Sequence, residues 1–535
     1  MSTLTRSRPS HIGAVAEVAS ARRSDRGTRH QWPTALVTAI GFASVAAALR
    51  LFHITTSYNL FIDEATYAGI ARDTTLIAGP MLQGLPFLLH PPLALLLLAG
   101  PAHALGTQDV AALVAGMRPF VALVGALTVA VLYLTLHRAG LRKAAFATAA
   151  LVALDPFIIS FDSRLMLEAF AQLFAVLTVA AAIRAVTADP RARWRWSGLT
   201  ALAGAATFGT KETFGLVVLA TLVLVALTAP RGQRRPPLLA VAGTLVGCGL
   251  INFAMINWGG FLPWWQMRTD GLSRLLGLQQ STGFKAEGAQ GSFWEGLLPN
   301  GAELGATYAI LALGGVCALT LMWVPCRRAL FDRPPPAALA AARIVSIWAM
   351  CACCYVAYAV AFGSLEEQMF YIAAAPCAAA LAIRVFLTGQ RMLRGAAVAG
   401  VAAIMLVQGS AWVQVHTTPD NVYAQMLDQV SGVAPPGSTL AVTEETGQFV
   451  LSGYQLGQWV TVPDLRVNDV DYVLLSDRLV KNGYGLADRE FANVVREHGR
   501  LVLSVHGRKS DLQLYDVRGW TGAVARDVAT TEDRS

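Results

Sequence analysis

Long apolar runs separated by short polar segments fill the chain from residue 32 to residue 413. A bilayer core takes roughly 20 apolar residues of helix. By that measure the runs near 33–52, 119–137, 145–161, 169–186, 197–210, 213–229, 237–257, 302–324, 341–362, 370–387 and 396–413 predict about eleven transmembrane helices, several of them short. The run from Trp32 to Phe52 is too long for a signal-peptide core and reads as a signal anchor. Residues 1–31 lack any periodic apolar pattern, which predicts a disordered cytoplasmic tail. Two long stretches stay outside the spans, 53–118 and 258–301. The first contains Leu93–Gly100, apolar but too short to cross, and predicts an interfacial or re-entrant helix. The second carries Trp258, Trp264, Trp265 and Trp294, rings suited to the headgroup level.

The pattern changes after residue 413. Asn421–Val430 reads as a helix, and Thr439–Val442, Asp471–Leu475, Leu501–Val505 and Leu512–Val517 read as short strands, with a turn at Pro435-Pro436-Gly437. These predict a small extracytoplasmic α/β domain over 414–522 and a disordered tail over 523–535. The fold class expected is an α-helical polytopic membrane protein, its membrane domain 32–413 followed by that small domain.

Composition narrows the function classes. Of 535 residues, 55% are apolar and 14% charged, against about 25% charged in soluble proteins. A water-soluble protein, a disordered chain and a secreted disulfide scaffold are excluded. The net charge of +8 does not point to nucleic acid, because the arginines gather in short segments between apolar runs: Arg138 with Arg142, Arg184 to Arg195, Arg231 to Arg235, Arg327 to Arg333, and Arg384 to Arg394. Under the positive-inside rule these loops are cytoplasmic, so the N-terminus is inside and residues 53–118, 258–301 and the C-terminal domain are outside a plasma membrane. The seven cysteines fall within or beside apolar runs, without disulfide or zinc spacing.

Ionisable groups at membrane depth cost roughly 2.5–3.5 kcal/mol each on insertion scales, so each needs a reason. The outer half carries Asp63-Glu64, Arg72-Asp73, His90, Arg118, Asp162, Arg164, Glu168, Lys211-Glu212 and Glu366-Glu367. Asp63-Glu64 is either an exposed pair that caps the following helix or a general base whose pKa partial desolvation raises. Arg118, Arg164 and Lys211 either snorkel to headgroups or hold an anionic group, for which a lipid-linked phosphate is the obvious candidate. His90, before Pro91-Pro92, is a structural hydrogen-bonder or a proton shuttle. Glu367 and Tyr371 are placed to contact a sugar or to anchor the interface.

These residues carry a resemblance. Phe61-Ile-Asp-Glu-Ala-Thr-Tyr-Ala-Gly-Ile-Ala-Arg-Asp73 followed by His90-Pro-Pro-Leu93 resembles the protein O-mannosyltransferase family, one of the multi-spanning GT-C-type glycosyltransferases that use polyprenyl-phosphate sugars. The likeness continues through Met117-Arg118, Gly125–Gly140, Ser163-Arg-Leu-Met-Leu-Glu168 and Gly209-Thr-Lys211, and covers roughly residues 33–215. It implies that Asp63 is the catalytic base with Glu64 beside it, and that Arg118, Arg164 and Lys211 face the cavity or the donor phosphate. Glu168 stands where the family usually has Asp, Leu88 where eukaryotic members have Asp, and 258–301 is too short for their β-trefoil insertion. The expectation is therefore a membrane glycosyltransferase moving mannose or a related sugar from a polyprenyl-phosphate donor to a protein, glycan or lipid hydroxyl, by one inverting displacement. No cofactor is certain, and a divalent metal is compatible with the carboxylates. A secondary transporter or lipid flippase is the alternative, though no repeated halves are visible.

Overall fold

The computed structural model describes residues 33–230, 233–278, 301–323, 336–362, 367–388, 390–476, 480 and 486–520. The two terminal tails, Trp294, Glu366 and Cys326 lie outside the described residues. The helices of the membrane part are α1 (Pro33–Leu51), α2 (Ile62–Asp73), α3 (Leu93–Leu105), α4 (Val110–Arg138), α5 (Arg142–Leu154), α6 (Pro156–Asp162), α7 (Glu168–Thr187), α8 (Pro190–Thr210), α9 (Glu212–Thr228), α10 (Arg235–Gly259), α11 (Phe261–Leu275), α12 (Gly301–Trp323), α13 (Pro336–Ala361), α14 (Tyr371–Leu387) and α15 (Arg391–Thr417). A two-strand hairpin, β1 (Met81–Leu82) and β2 (Leu85–Pro86), lies between α2 and α3.

Among the described residues eight helices are long and apolar enough to cross a membrane, and the bent pair α5–α6 makes a ninth. The expected count of eleven is not confirmed. The runs at 197–210 and 213–229 form α8 and α9, and both fall short for local reasons. Arg191, Arg193 and Arg195 take up the first turns of α8, and α9 has only 17 residues. The 63° bend between α5 and α6 is built by Asp155 and Pro156. Proline at the first position of α6 has no N–H to leave unpaired, and the Asp155 carboxylate accepts the N–H groups of Phe157 and Ile158 at 3.1 and 3.0 Å. Two further donors, Thr307 Oγ1 of α12 and Gln408 Nε2 of α15, close on the same carboxylate, so the bend is also a four-element junction.

The apolar core falls into two parts. A large one joins α4, α5, α7, α9 and α12 to α14, with Trp348 among its largest fully buried side chains. A smaller one, with Tyr67, Ile70, Leu95, Leu98, Leu113, Met117, Leu165 and Phe170, holds α2 and α3 against the first half of α4 and the start of α7. Leu60, Leu82 and Leu89, from the segments flanking α2 and α3, pack against this smaller core.

The C-terminal part is α16 (Val422–Val430), β3 (Thr439–Val442), α17 (Thr446–Val450), β4 (Gln455–Gly457), α18 (Val462–Val467), β5 (Tyr472–Leu475), α19 (Arg489–His498), β6 (Arg500–His506) and β7 (Asp511–Asp516). The sheet order is β4-β3-β5-β7-β6, parallel across β4, β3 and β5 and antiparallel beyond. Alternate residues face opposite sides. Leu440, Val442, Tyr472 and Leu474 pack with α16, whereas Ala441, Val473 and Leu475 pack with Phe491 and Val495 of α19. Polar ties fix this part on the membrane helices: Asp420 N–H donates to Thr56 O (2.7 Å), Tyr423 N–H to Asn59 Oδ1 (3.1 Å), and Arg508 and Lys509 both pair with Glu303 of α12. Helix α17 lies against α2 and α4.

Candidate functional site

Residue by residue, the site grows from the start of α2. Asp63 and Glu64 are successive helical residues, about 100° apart around the axis, and so point in different directions. Glu64 is fully buried and Asp63 only partly. The Glu64 carboxylate accepts Nε and Nη2 of Arg118 at 2.8 and 2.7 Å, the Leu165 N–H at 2.8 Å and the Phe61 N–H at 3.3 Å. Of the two sequence readings, capping is thus met by Glu64, in a buried setting rather than an exposed one.

Arg118 is no less fully engaged than Glu64. Besides that carboxylate it donates Nη1 to Ile54 O and Tyr58 O (3.0 and 3.1 Å) and Nη2 to Asn59 O (3.2 Å). A guanidinium has five N–H donors, and all five are used here. Arg118 therefore ties the 54–59 segment and α2 to α4, with no donor left for a ligand.

Arg164 differs. It stands in the turn between α6 and α7, partly exposed, with its guanidinium 5.2 Å from the centroid of the Tyr58 ring. It has no carboxylate partner among the described residues, and its Nε is buried without a hydrogen bond. The Glu64–Leu165 hydrogen bond ties the segment that carries Asp63 to the one that carries Arg164, across 101 positions of sequence.

A second group of charges lies beside the first. Glu168 opens α7 and pairs with Lys211, whose extended backbone breaks α8 from α9. Glu212, the next residue, pairs with Arg268 of α11. The Lys211 and Arg268 charges and burial together push the His90 imidazole down from its ordinary 6.5 to about 3, burial being the largest cause. His90 is held edge-on against Tyr67 and Phe87, each ring centroid 5.9 Å away. Tyr67 lies one helical turn beyond Asp63, on the same face of α2. A neutral His90 thus faces the acid-bearing side of that helix. Arg164 Nε, Glu168 Oε2, Arg268 Nε and Tyr58 Oη are among the buried polar atoms without a hydrogen-bond partner. Buried polar groups are normally hydrogen-bonded, so each of these atoms suits a water or a polar ligand.

Tyr371 approaches this group from the core side, near enough for the Glu168 charge to act on its hydroxyl. Its ring is buried against Phe157, Phe161 and Phe214, and its hydroxyl donates to Asp162 Oδ1 at 2.5 Å. Asp162 is paired in turn with the fully buried Arg50 of α1 at 2.8 Å. A β-carbon at Gly125 of α4 would overlap the Asp162 carboxylate, so glycine is what lets α6 end there. This triad ties helices together inside the core and borders the charged cluster, where Glu168 acts on Tyr371 and Arg50 on Tyr58. Glu367 opens a short 3-10 turn before α14. The Arg72-Asp73 pair sits half-exposed at the far end of α2. Arg268 is the addition to the residues picked from sequence; it lies in the Trp-rich stretch read there as interfacial, and only its contact with Glu212 reveals it. No three His, Cys, Asp or Glu side chains converge at metal-ligand spacing among the described residues.

A helical membrane domain with a small sheet domain packed on it has counterparts among solved structures. The fold is similar to that of ArnT from Cupriavidus metallidurans, in the apo state and bound to undecaprenyl phosphate, with a TM-score of 0.54 and 14% identity over 89% of this chain and 97% of that one. It is also similar to the Archaeoglobus fulgidus oligosaccharyltransferase in complex with Zn and sulfate, with a TM-score of 0.53 and 11% identity over 90% of this chain and 72% of that one. At such identities the likeness is one of fold. More particularly, residues 40–265 match the family model of dolichyl-phosphate-mannose-protein mannosyltransferase, and the resemblance carried by the motifs holds over that stretch. No curated protein matches the chain in sequence.

Proposed function

We propose that the protein transfers a sugar, mannose or a related hexose, from a polyprenyl-phosphate donor to an acceptor hydroxyl on the outer face of the membrane. Asp63 takes the acceptor proton as the acceptor oxygen bonds to the anomeric carbon. The bond from that carbon to the phosphate oxygen breaks on the opposite side, so the configuration inverts. The departing polyprenyl phosphate carries the negative charge, and Arg164, with Lys211 and Arg268 behind it, stabilises that charge. His90, neutral under working conditions, is an orienting hydrogen-bond partner rather than an additional cation. The donor's undecaprenyl-like tail runs between spans, and the C-terminal domain, seated on α2, positions the acceptor.

The observation that supports this reading is the Glu64–Leu165 hydrogen bond, which ties the segment that carries Asp63 to the one that carries Arg164. The match of residues 40–265 to a family of dolichyl-phosphate-mannose enzymes, and a fold shared with an ArnT bound to undecaprenyl phosphate, support the lipid-phosphate donor. The test is to offer purified, lipid-reconstituted protein a panel of radiolabelled polyprenyl-phosphate sugars with envelope extract as acceptor. Release of polyprenyl phosphate coupled to label in the acceptor is the expected result. Label crossing the vesicle membrane with the donor unconsumed overturns it in favour of a transporter.

A further inference from the structure

The cations of the candidate site are held in two different ways. Arg118 pairs with Glu64, Lys211 with Glu168 and Arg268 with Glu212. Arg164 has an aromatic face instead. Its guanidinium carbon lies over the Tyr58 ring, 5.2 Å from the centroid, and among the described residues its side chain makes no hydrogen bond or ion pair.

That ring is fixed from several sides. Tyr58 is only 3% exposed. Arg118 Nη1 of α4 donates to its carbonyl at 3.1 Å, and its ring stands at 90° to the His416 imidazole of α15, with centroids 5.8 Å apart. On either side of it in sequence, the Ser57 carbonyl accepts Arg508 Nη2 at 3.4 Å and Asn59 Oδ1 accepts the Tyr423 N–H at 3.1 Å. Two membrane helices and the C-terminal part therefore hold the short segment that carries the ring. The Tyr58 hydroxyl is buried without a partner, and burial raises its pKa, so the phenol stays neutral. What Tyr58 presents to Arg164 is a neutral ring face.

A carboxylate neutralises a guanidinium and takes up its N–H groups, as Glu64 does with Arg118. A ring face attracts the same charge through its quadrupole and leaves those donors for another acceptor. Packing accounts for the contact with His416. It does not account for a guanidinium whose Nε is buried with no acceptor, since buried donors are normally satisfied. Fixing a long side chain before a ligand arrives also lowers the entropy lost on binding. We infer that Tyr58 is a positioning residue, which holds the Arg164 guanidinium by cation–π attraction, charged and with its N–H donors free, for the phosphate of the lipid-linked donor. This rests on the proposed role of Arg164 in holding that phosphate.

The test alters the ring face without removing the ring. In the full chain, reconstituted in phosphatidylcholine vesicles, Tyr58 is replaced by phenylalanine and then by its mono-, di- and trifluorinated analogues, and binding of radiolabelled polyprenyl phosphate is measured. Fluorine withdraws negative potential from the face and barely changes the shape, so a role in packing alone leaves affinity flat. Tyr58→Phe is expected to bind within about twofold of wild type, and affinity to fall stepwise along the series by about three- to tenfold in all. Arg164→Gln is expected to bind about tenfold less tightly than wild type, and the same series made in that background to show no trend. With Arg164→Gln weakened as expected, a flat series on wild-type Arg164, a trend that persists without the arginine, or a loss already complete at Tyr58→Phe would overturn the positioning role alone. Arg164→Gln that binds as tightly as wild type would overturn the phosphate role of Arg164, and this inference with it.

Discussion

Asp63 and Glu64 carry the same charge, are adjacent in sequence and have opposite circumstances. The Glu64 carboxylate is saturated by two guanidinium nitrogens and two backbone N–H groups, whereas its neighbour is partly exposed on another face of α2. Removing one partner of a buried ion pair leaves the other charge unpaired, at a cost of about 3–5 kcal/mol. Glu64→Gln is therefore expected to lower the thermal midpoint of the detergent-solubilised protein markedly. The sequence showed both acids and all three basic positions. It did not separate structural from available groups, because the deciding contacts are long-range: Arg118 meets Glu64 across 54 positions and Leu165 meets it across 101. Saturation of a guanidinium by three backbone carbonyls leaves no trace in residue type.

Elements were legible where apolar periodicity is long. The runs near 33–52, 169–186, 237–257 and 302–324 correspond to α1, α7, α10 and α12, whose ends lie within a few residues of the expected bounds. The bend at Asp155-Pro156 was invisible as a bend because an apolar run continues through it. Its signal was nonetheless present, as an Asp-Pro pair that caps one helix while ending another. Strand β4 has three residues, too few for alternation to register, whereas β3, β5, β6 and β7 were each found. Tyr371 was singled out because Glu366 and Glu367 precede it, but in the structure it begins α14 facing the core. Tyr371→Phe removes a hydrogen bond to a buried carboxylate, worth about 1–3 kcal/mol. The expected outcome is a lower thermal midpoint with donor KM unchanged; a raised donor KM at unchanged stability would show a ligand contact instead.

At the scale of the whole molecule, the sheet domain rests on the helices that form the site through Asp420, Tyr423, Arg508, Lys509 and α17. Glu444, just before α17, accepts the N–H groups of Thr446 and Gly447 at 2.9 and 3.2 Å. Burial outweighs those bonds and raises its carboxyl from 4.5 to about 7. The folded domain thus keeps a proton that the unfolded chain loses near 4.5, so the associated stability is present at low pH and is lost as pH rises through about 7. Hydrogen exchange at β3 and α17 is accordingly expected to show more frequent opening at about pH 8 than at about pH 5.5, after correction for the intrinsic exchange rate. Glu444→Gln should flatten that dependence; an equally steep dependence in the variant would assign it to other groups. The polytopic class and the appended α/β domain were legible from composition and pattern. The seating of that domain on α2 was not, since it depends on single polar side chains in loops.

The assignment of Asp63 as base is tested most directly by the rate of label transfer from a polyprenyl-phosphate sugar, wild type against Asp63→Asn, with donor binding measured separately on each. Loss of a general base is worth about 10²–10⁴-fold. The account predicts a fall in that range with donor affinity retained. A variant that transfers sugar at the wild-type rate would contradict it and move the proton transfer to another group.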